Sequence, residues 1–88
     1  MTPREMQYHV LCAFDTPEGS RSEILSTIPE LRNQNLTEVK QCLYFLVDGE
    51  YIWQRGKNNG AIFRTSDEGR EYLAQLSKKL NVRQPARV

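Results

Sequence analysis

The stretch from Leu36 to Arg64 switches between two hydrophobic periods. Between Thr37 and Val47 the apolar residues fall at Val39, Cys42, Leu43, Leu46 and Val47. That spacing places them on one side of a helix with a single buried face. Asn35 stands where its side-chain oxygen can accept from a free N–H of the first turn, and Glu38 suits the positive end of the helix. Gly49 is the expected stop, because glycine tolerates the left-handed conformation that follows many helices. The period then changes. Tyr51, Ile52 and Trp53 open a strand, Gly56, Asn58, Asn59 and Gly60 form a hairpin tip, and Ala61 to Arg64 return as the partner strand.

The flanking segments are helical. Thr2-Pro3-Arg4-Glu5 reads as a cap, a proline at the first helical position and a carboxylate two residues later. Met6, Val10, Ala13 and Phe14 make the stripe of this first helix, with Leu11 beside it, and the helix is expected to end near Phe14. Asp15 to Gly19 form a loop. A second helix is expected to carry Ile24, Leu25, Ile28 and Leu31, capped by Ser20 or Ser22. Pro29 lacks an N–H and would clash with a carbonyl one turn back, so this helix should end near Ile28, with at most one irregular turn to Leu31. Thr65 or Ser66 should cap a fourth helix, with Asp67 and Glu68 at its positive end and Lys78 and Lys79 at its negative end. Leu73, Leu76 and Leu80 form its stripe, with Tyr72 one step round. Asn81 to Val88, with Pro85 and two arginines, is expected to be a flexible tail. The domain reading is one unit over 1–80 and a tail over 81–88.

A helix running directly into a hairpin with a basic, Asn/Gly-rich tip resembles the reading end of a winged helix-turn-helix. The residues carrying the resemblance are Leu36, Thr37, Leu43 and Leu46, then Gly49, Tyr51 and Ile52, then Thr65, Glu68, Gly69, Arg70 and Leu73. Over most of its length the chain is similar to the small winged-helix DNA-binding domains of MarR-like and PadR-like transcriptional regulators. The resemblance implies a mainly helical fold with a small β-hairpin, in the order helix, short strand, helix, helix, two-stranded wing, helix. It further implies that Ser20, Arg21 and Ser22 form a short extended stretch against the edge of the wing.

Composition narrows the class. With 88 residues the chain is expected to be one domain, burying only about 60% of its unfolded surface. Apolar residues at 39% and charged residues at 26% describe a globular chain. No apolar run approaches the roughly 18 residues that span a bilayer. No secretory leader is expected, and the expected compartment is the cytoplasm. The net charge of +1 hides an asymmetry: residues 1–50 hold four Lys/Arg against eight Asp/Glu, and residues 51–88 hold eight against three. Positive potential therefore gathers in the hairpin and the C-terminal part. Cys12 and Cys42 both fall on apolar stripes and are expected to be buried free thiols. His9 and Cys12 could share one helix face, but two ligands are too few for zinc, and no metal is expected.

No dispersed glycine here makes a phosphate loop, and one histidine without a nucleophile motif makes no triad. The expectation is a binding protein without cofactor, not an enzyme. On the third helix Thr37, Glu38, Lys40, Gln41, Tyr44 and Asp48 should face outward. Gln41 could bond an adenine edge, Lys40 a guanine edge or phosphate, and Thr37 a phosphate. Glu38 could accept from cytosine or repel phosphate. Arg55, Lys57 and Arg64 flank Asn58 and Asn59, a composition suited to a phosphate backbone or a minor groove. Arg21 and Arg32 would meet flanking phosphates if the second helix crosses them. With Asn35, these residues form the candidate DNA-binding set; the bland alternatives are a wet helix face and a solubilised turn. Trp53 and Tyr51 share one strand face and Ile52 the other. Trp53 is expected to pack inward; the alternative leaves it as a partner contact.

Because the core is small, a homodimer is expected, with Tyr72, Leu73, Leu76 and Leu80 as its seam; the alternative is that the three leucines cap the chain's own core. The function expected is a sequence-specific transcriptional regulator on double-stranded DNA, a bacterial or phage repressor acting by occlusion. The alternative is a winged-helix protein-interaction module, such as a phage protein docking on a host factor. RNA binding through the wing is a further alternative.

Overall fold

Three side-chain caps fix where the long helices begin. In the computed structural model, which describes residues 1–80, Thr2 Oγ1 accepts from the Glu5 N–H at 3.2 Å while Glu5 accepts from the Thr2 N–H at 2.9 Å. This reciprocal box opens α1 (Pro3–Ala13). Asn35 Oδ1 accepts from the N–H groups of Thr37 and Glu38 and opens α3 (Leu36–Asp48). Ser66 Oγ accepts from the Gly69 N–H at 3.0 Å and opens α4 (Asp67–Lys79). Each such cap stabilises its helix by about 1 kcal/mol.

The second helical region differs from the expected single helix. A 3-10 helix spans Ser22–Thr27, and a separate α-helical turn, α2, spans Pro29–Arg32. The first piece ends near Ile28 as expected, and Pro29 starts the second piece as a single further turn. Ile28 before it is extended, at φ −82° and ψ 117°, as a residue preceding proline prefers. Neither Ser20 nor Ser22 caps this region: Arg21 takes the cap position without a side-chain bond. Ser20 instead exchanges backbone hydrogen bonds with Phe63, the short extended contact expected at the wing edge.

The wing is the antiparallel pair β1 (Ile52–Arg55) and β2 (Ile62–Thr65), with Trp53 opposite Arg64 and Gln54 opposite Phe63. The observed order is helix, bridge residue, paired short helices, helix, two-stranded wing, helix, the winged helix-turn-helix layout expected from the sequence.

The end of α3 corrects a glycine. Gly49 has an ordinary φ of −83°, and the left-handed residue is Glu50 at +64°. The Tyr51 N–H reaches the Leu46 carbonyl at 2.9 Å and the Glu50 N–H the Val47 carbonyl at 3.0 Å. Those two bonds satisfy carbonyls the helix leaves open and turn the chain into β1.

The core is built from α1, which packs on α3 and on α4. Val10, Leu11, Phe14, Leu43, Leu46, Ile52, Phe63 and Leu76 are essentially inaccessible. The Phe14 and Phe63 rings meet at 5.6 Å and join α1 to the wing. Two hydroxyls are buried among these groups. Thr65 Oγ1 donates to the Leu11 carbonyl at 2.7 Å, and Ser66 Oγ donates to the Glu50 carbonyl at 2.7 Å. The backbone N–H of Thr65 reaches Phe14, and that of Ser66 reaches Tyr51.

Three further expectations fail on packing. Ile52 is the inward residue of β1 and Trp53 is 51% exposed, because the helices cover only the Ile52 face of the two-stranded sheet. Cys12 is exposed, since it lies about 200° round α1 from Val10 and so off the buried stripe. Leu76, at 1% exposure, fills the chain's own core and is closed to a second copy.

Two substitutions test the joint between α3, the wing and α4. A Cβ at Gly69 would overlap the Tyr51 carbonyl oxygen and press on Thr65 Cγ2. Gly69→Ala should therefore destabilise by about 2 kcal/mol or more, despite alanine's higher helix propensity. Glu50→Gly should stabilise by roughly 0.5–1 kcal/mol, because glycine carries no side-chain penalty at positive φ. Urea unfolding of both variants checks the opposite signs.

Candidate nucleic-acid interface

The sequence of α3 divides it lengthwise. Val39, Leu43 and Leu46 are buried, and Thr37, Lys40, Gln41, Tyr44 and Asp48 are exposed on the opposite side. Tyr44 stands on the wing side of that face, half exposed, with its ring edge 6.4 Å from Phe63. Glu38 and Gln41 stand on the other side, where they border a groove of about 450 Å³ with Met1, Met6, Cys42 and Phe45. Asn35 is exposed, but its carbonyl oxygen is engaged in the cap. Arg32 lies beside Leu36 at the start of α3, and Arg21 is exposed next to the Ser20 bridge.

The wing tip is longer than a two-residue turn and holds hydrogen bonds of its own. Gly56 at φ +89° and Asn58 at φ +57° take the left-handed positions, residues Asn58–Gly60 make a 3-10 turn, and the Ala61 N–H closes on the Asn58 carbonyl. Asparagine tolerates that conformation better than most side chains. Gln54 donates to the Gly56 carbonyl at 3.3 Å. Arg55, Lys57, Asn58 and Asn59 are all exposed.

Arg64 departs from the expected cluster at the tip. It lies on the outer face of the sheet, directly opposite Trp53, with its guanidinium carbon 5.9 Å from the Trp53 ring centre. The structure thus brings Tyr44 to the wing side of α3, and gathers Arg55 and Arg64 with Trp53 on a separate surface.

The same layout occurs in a solved protein. The crystal structure of SSV1 F-93 superposes with a TM-score of 0.63, over 92% of this chain and 88% of that one, at 11% identity. At that identity the likeness concerns the fold alone. No protein-family model and no curated protein matches the chain.

Sequence reasoning missed two exposed apolar residues on α3, Leu36 at 59% and Phe45 at 58%. Phe45 was legible: it lies about 240° round the helix from Val39, outside the buried stripe. Leu36 is exposed because α3 starts there and the short α2 covers it only in part.

Of the proposed seam on α4, Leu73 and Leu80 are half-buried, while Tyr72 stacks on Tyr51 at 4.7 Å and donates to Gln7. The seam remains an expectation for those three side chains. Among the described residues no helix is long and apolar enough to cross a membrane, and no group of three or more His, Cys, Asp or Glu is gathered for a metal ion.

Burial pushes the Cys42 thiol up from its ordinary 9.0 to about 11. The folded chain therefore favours the neutral thiol. The stability linked to it is intact below pH 9 and lost as the pH rises from 9 towards 11. The difference in unfolding free energy between the parent and Cys42→Ala should shrink across that window. Below it, a thiol reagent should modify Cys12 well before Cys42.

Proposed function

We propose that the chain is a sequence-specific DNA-binding regulator of the winged-helix kind, similar in action to the small MarR-like and PadR-like proteins it resembles. The observation that carries this reading is the outward face of α3, which leaves Thr37, Lys40, Gln41 and Tyr44 exposed, in a chain whose wing tip exposes Arg55 and Lys57. A helix with one dry and one wet face fits a major groove, and a stiff basic hairpin beside it fits the adjoining backbone or minor groove. Gln41 would read an adenine edge and Lys40 a guanine edge or phosphate. Arg32, near the start of α3, would meet a flanking phosphate. Glu38 and Asp48 on the same helix oppose indiscriminate attachment to a polyanion, so affinity has to come from matched contacts.

A single copy reads one half-site and discriminates weakly. Two copies on a palindrome would discriminate better. Their contact would use Leu73, Leu80 and Tyr72, which this chain covers only in part, and not Leu76. Such a dimer would act by occluding a promoter.

A protein-interaction role is the second reading. It is favoured by Phe45 and Met1, both about half exposed beside the apolar groove between α1 and α3.

The test is duplex binding with sites selected from a random pool. Lys40→Ala and Gln41→Ala should each weaken the selected site by about tenfold or more while changing random duplex far less. Lys57→Ala should weaken both and lower the salt dependence by about one unit of slope. Equal losses on every sequence would refute base reading. If random duplex is not retained at low salt and micromolar protein, the interaction reading replaces it.

A further inference from the structure

The outer face of the wing holds a second surface, which shares only Arg55 with the α3 reading. Trp53 and Arg55 point outward from β1, and Ile62 and Arg64 from β2; with Pro17 and Glu18 they line a hollow of about 420 Å³. Trp53 is 51% exposed, although nothing in the sheet requires a large aromatic on that side. The Arg64 guanidinium lies over the indole, and its Nε–H is buried with no hydrogen-bond acceptor among the described residues. A donor left in that state gains when an anion draws the side chain into a hydrogen bond.

Together these features describe a ligand that is planar at one end and anionic at the other. The indole offers a stacking face. The two arginines offer charge, and Arg55 stands about 7 Å along the strand from Trp53, within the reach of one nucleotide. Glu18 in the lining weakens the pull on a plain polyanion, because a carboxylate repels phosphate and aspartate alike. It instead accepts from a group carrying N–H donors, as the edge of a nucleobase does. In a duplex the bases are stacked on one another and their faces are closed to protein. The ligand must therefore be unpaired.

We propose that Trp53, Arg55 and Arg64 form a binding site for an unpaired nucleotide of a single strand. The base stacks on Trp53, its edge turns towards Glu18, and its phosphate is held by the two arginines. The proposal shares with the preceding section the reading of the wing as a nucleic-acid surface, but it does not depend on α3.

Trp53 is the only tryptophan, so its fluorescence reports on the site directly. The full chain is titrated at low salt with a short oligothymidylate, with a blunt duplex of random sequence, and with polyglutamate. The single strand should quench the emission saturably, and the other two should not. In a labelled-strand anisotropy assay, Trp53→Leu should weaken single-strand binding about tenfold, with Trp53→Phe recovering most of it. Arg64→Gln should weaken it and lower the salt slope by about 0.7. Lys40→Ala should leave it unchanged, which separates failure of this site from failure of the α3 reading. Absence of quenching at about 100 µM strand, the weak edge of ordinary non-specific affinity, would overturn the proposal. Equal quenching by the duplex would also overturn it, as would equal quenching by polyglutamate, which would mark an acidic-peptide surface instead.

Discussion

Two buried hydroxyls, on Thr65 and Ser66, hold the parts of this protein in register. Thr65 bonds the last turn of α1 through Oγ1 and again through its N–H. Ser66 bonds the turn after α3 through Oγ and N–H, and caps α4 with the same oxygen. A buried hydroxyl without a partner costs about 1–3 kcal/mol, so neither residue can drift without the loss being felt. Gly69 completes the joint, because only a residue without Cβ lets α4 approach the Tyr51 carbonyl so closely. By comparison the exposed Asp15–Arg70 pair, at 2.8 Å, adds little.

That joint decides where charge and apolar surface end up. With β2 pinned to α1, the sheet turns its Ile52 and Phe63 face to the core and its Trp53 and Arg64 face outward. With the turn at Glu50 fixed, α3 enters the wing at one angle, and Tyr44 fills the corner against Phe63. The basic tip and the wet face of α3 are both left exposed, on different elements. Of the eight acidic residues in the first half of the chain, Asp15, Glu18, Glu23 and Glu30 lie on other segments, while Glu38 and Asp48 lie on α3 itself.

Much of this was legible in the sequence, because caps and helical stripes are local. Thr2, Asn35 and Ser66 act as their spacing suggested, and the stripes of α1 and α3 face the core. The errors arose where a local rule met a tertiary choice. Glycine at 49 reads as the left-handed residue, yet the two bonds closing the helix put Glu50 there. Pro29 ends the preceding helix near Ile28 as read, yet the same loss of an N–H also lets it start a new α-helical turn. Alternation along β1 cannot say which face is covered when a sheet has two strands and helices on one side only. Reading Trp53 as the inward residue therefore picks the wrong face, and its pairing with Arg64 depends on the register of a hairpin with an unusual tip.

The bond from Thr65 to Leu11 bridges 54 positions along the chain. Closing so wide a separation carries an entropic cost that nearby contacts do not. A clipped chain lacking its first helix loses the Leu11 and Phe14 anchors of the returning strand and keeps the Ser20 bridge and the Ser66 bonds, so its wing is less firmly seated however well its later helices form. Whatever the wing grips, it grips best when the whole domain stands assembled.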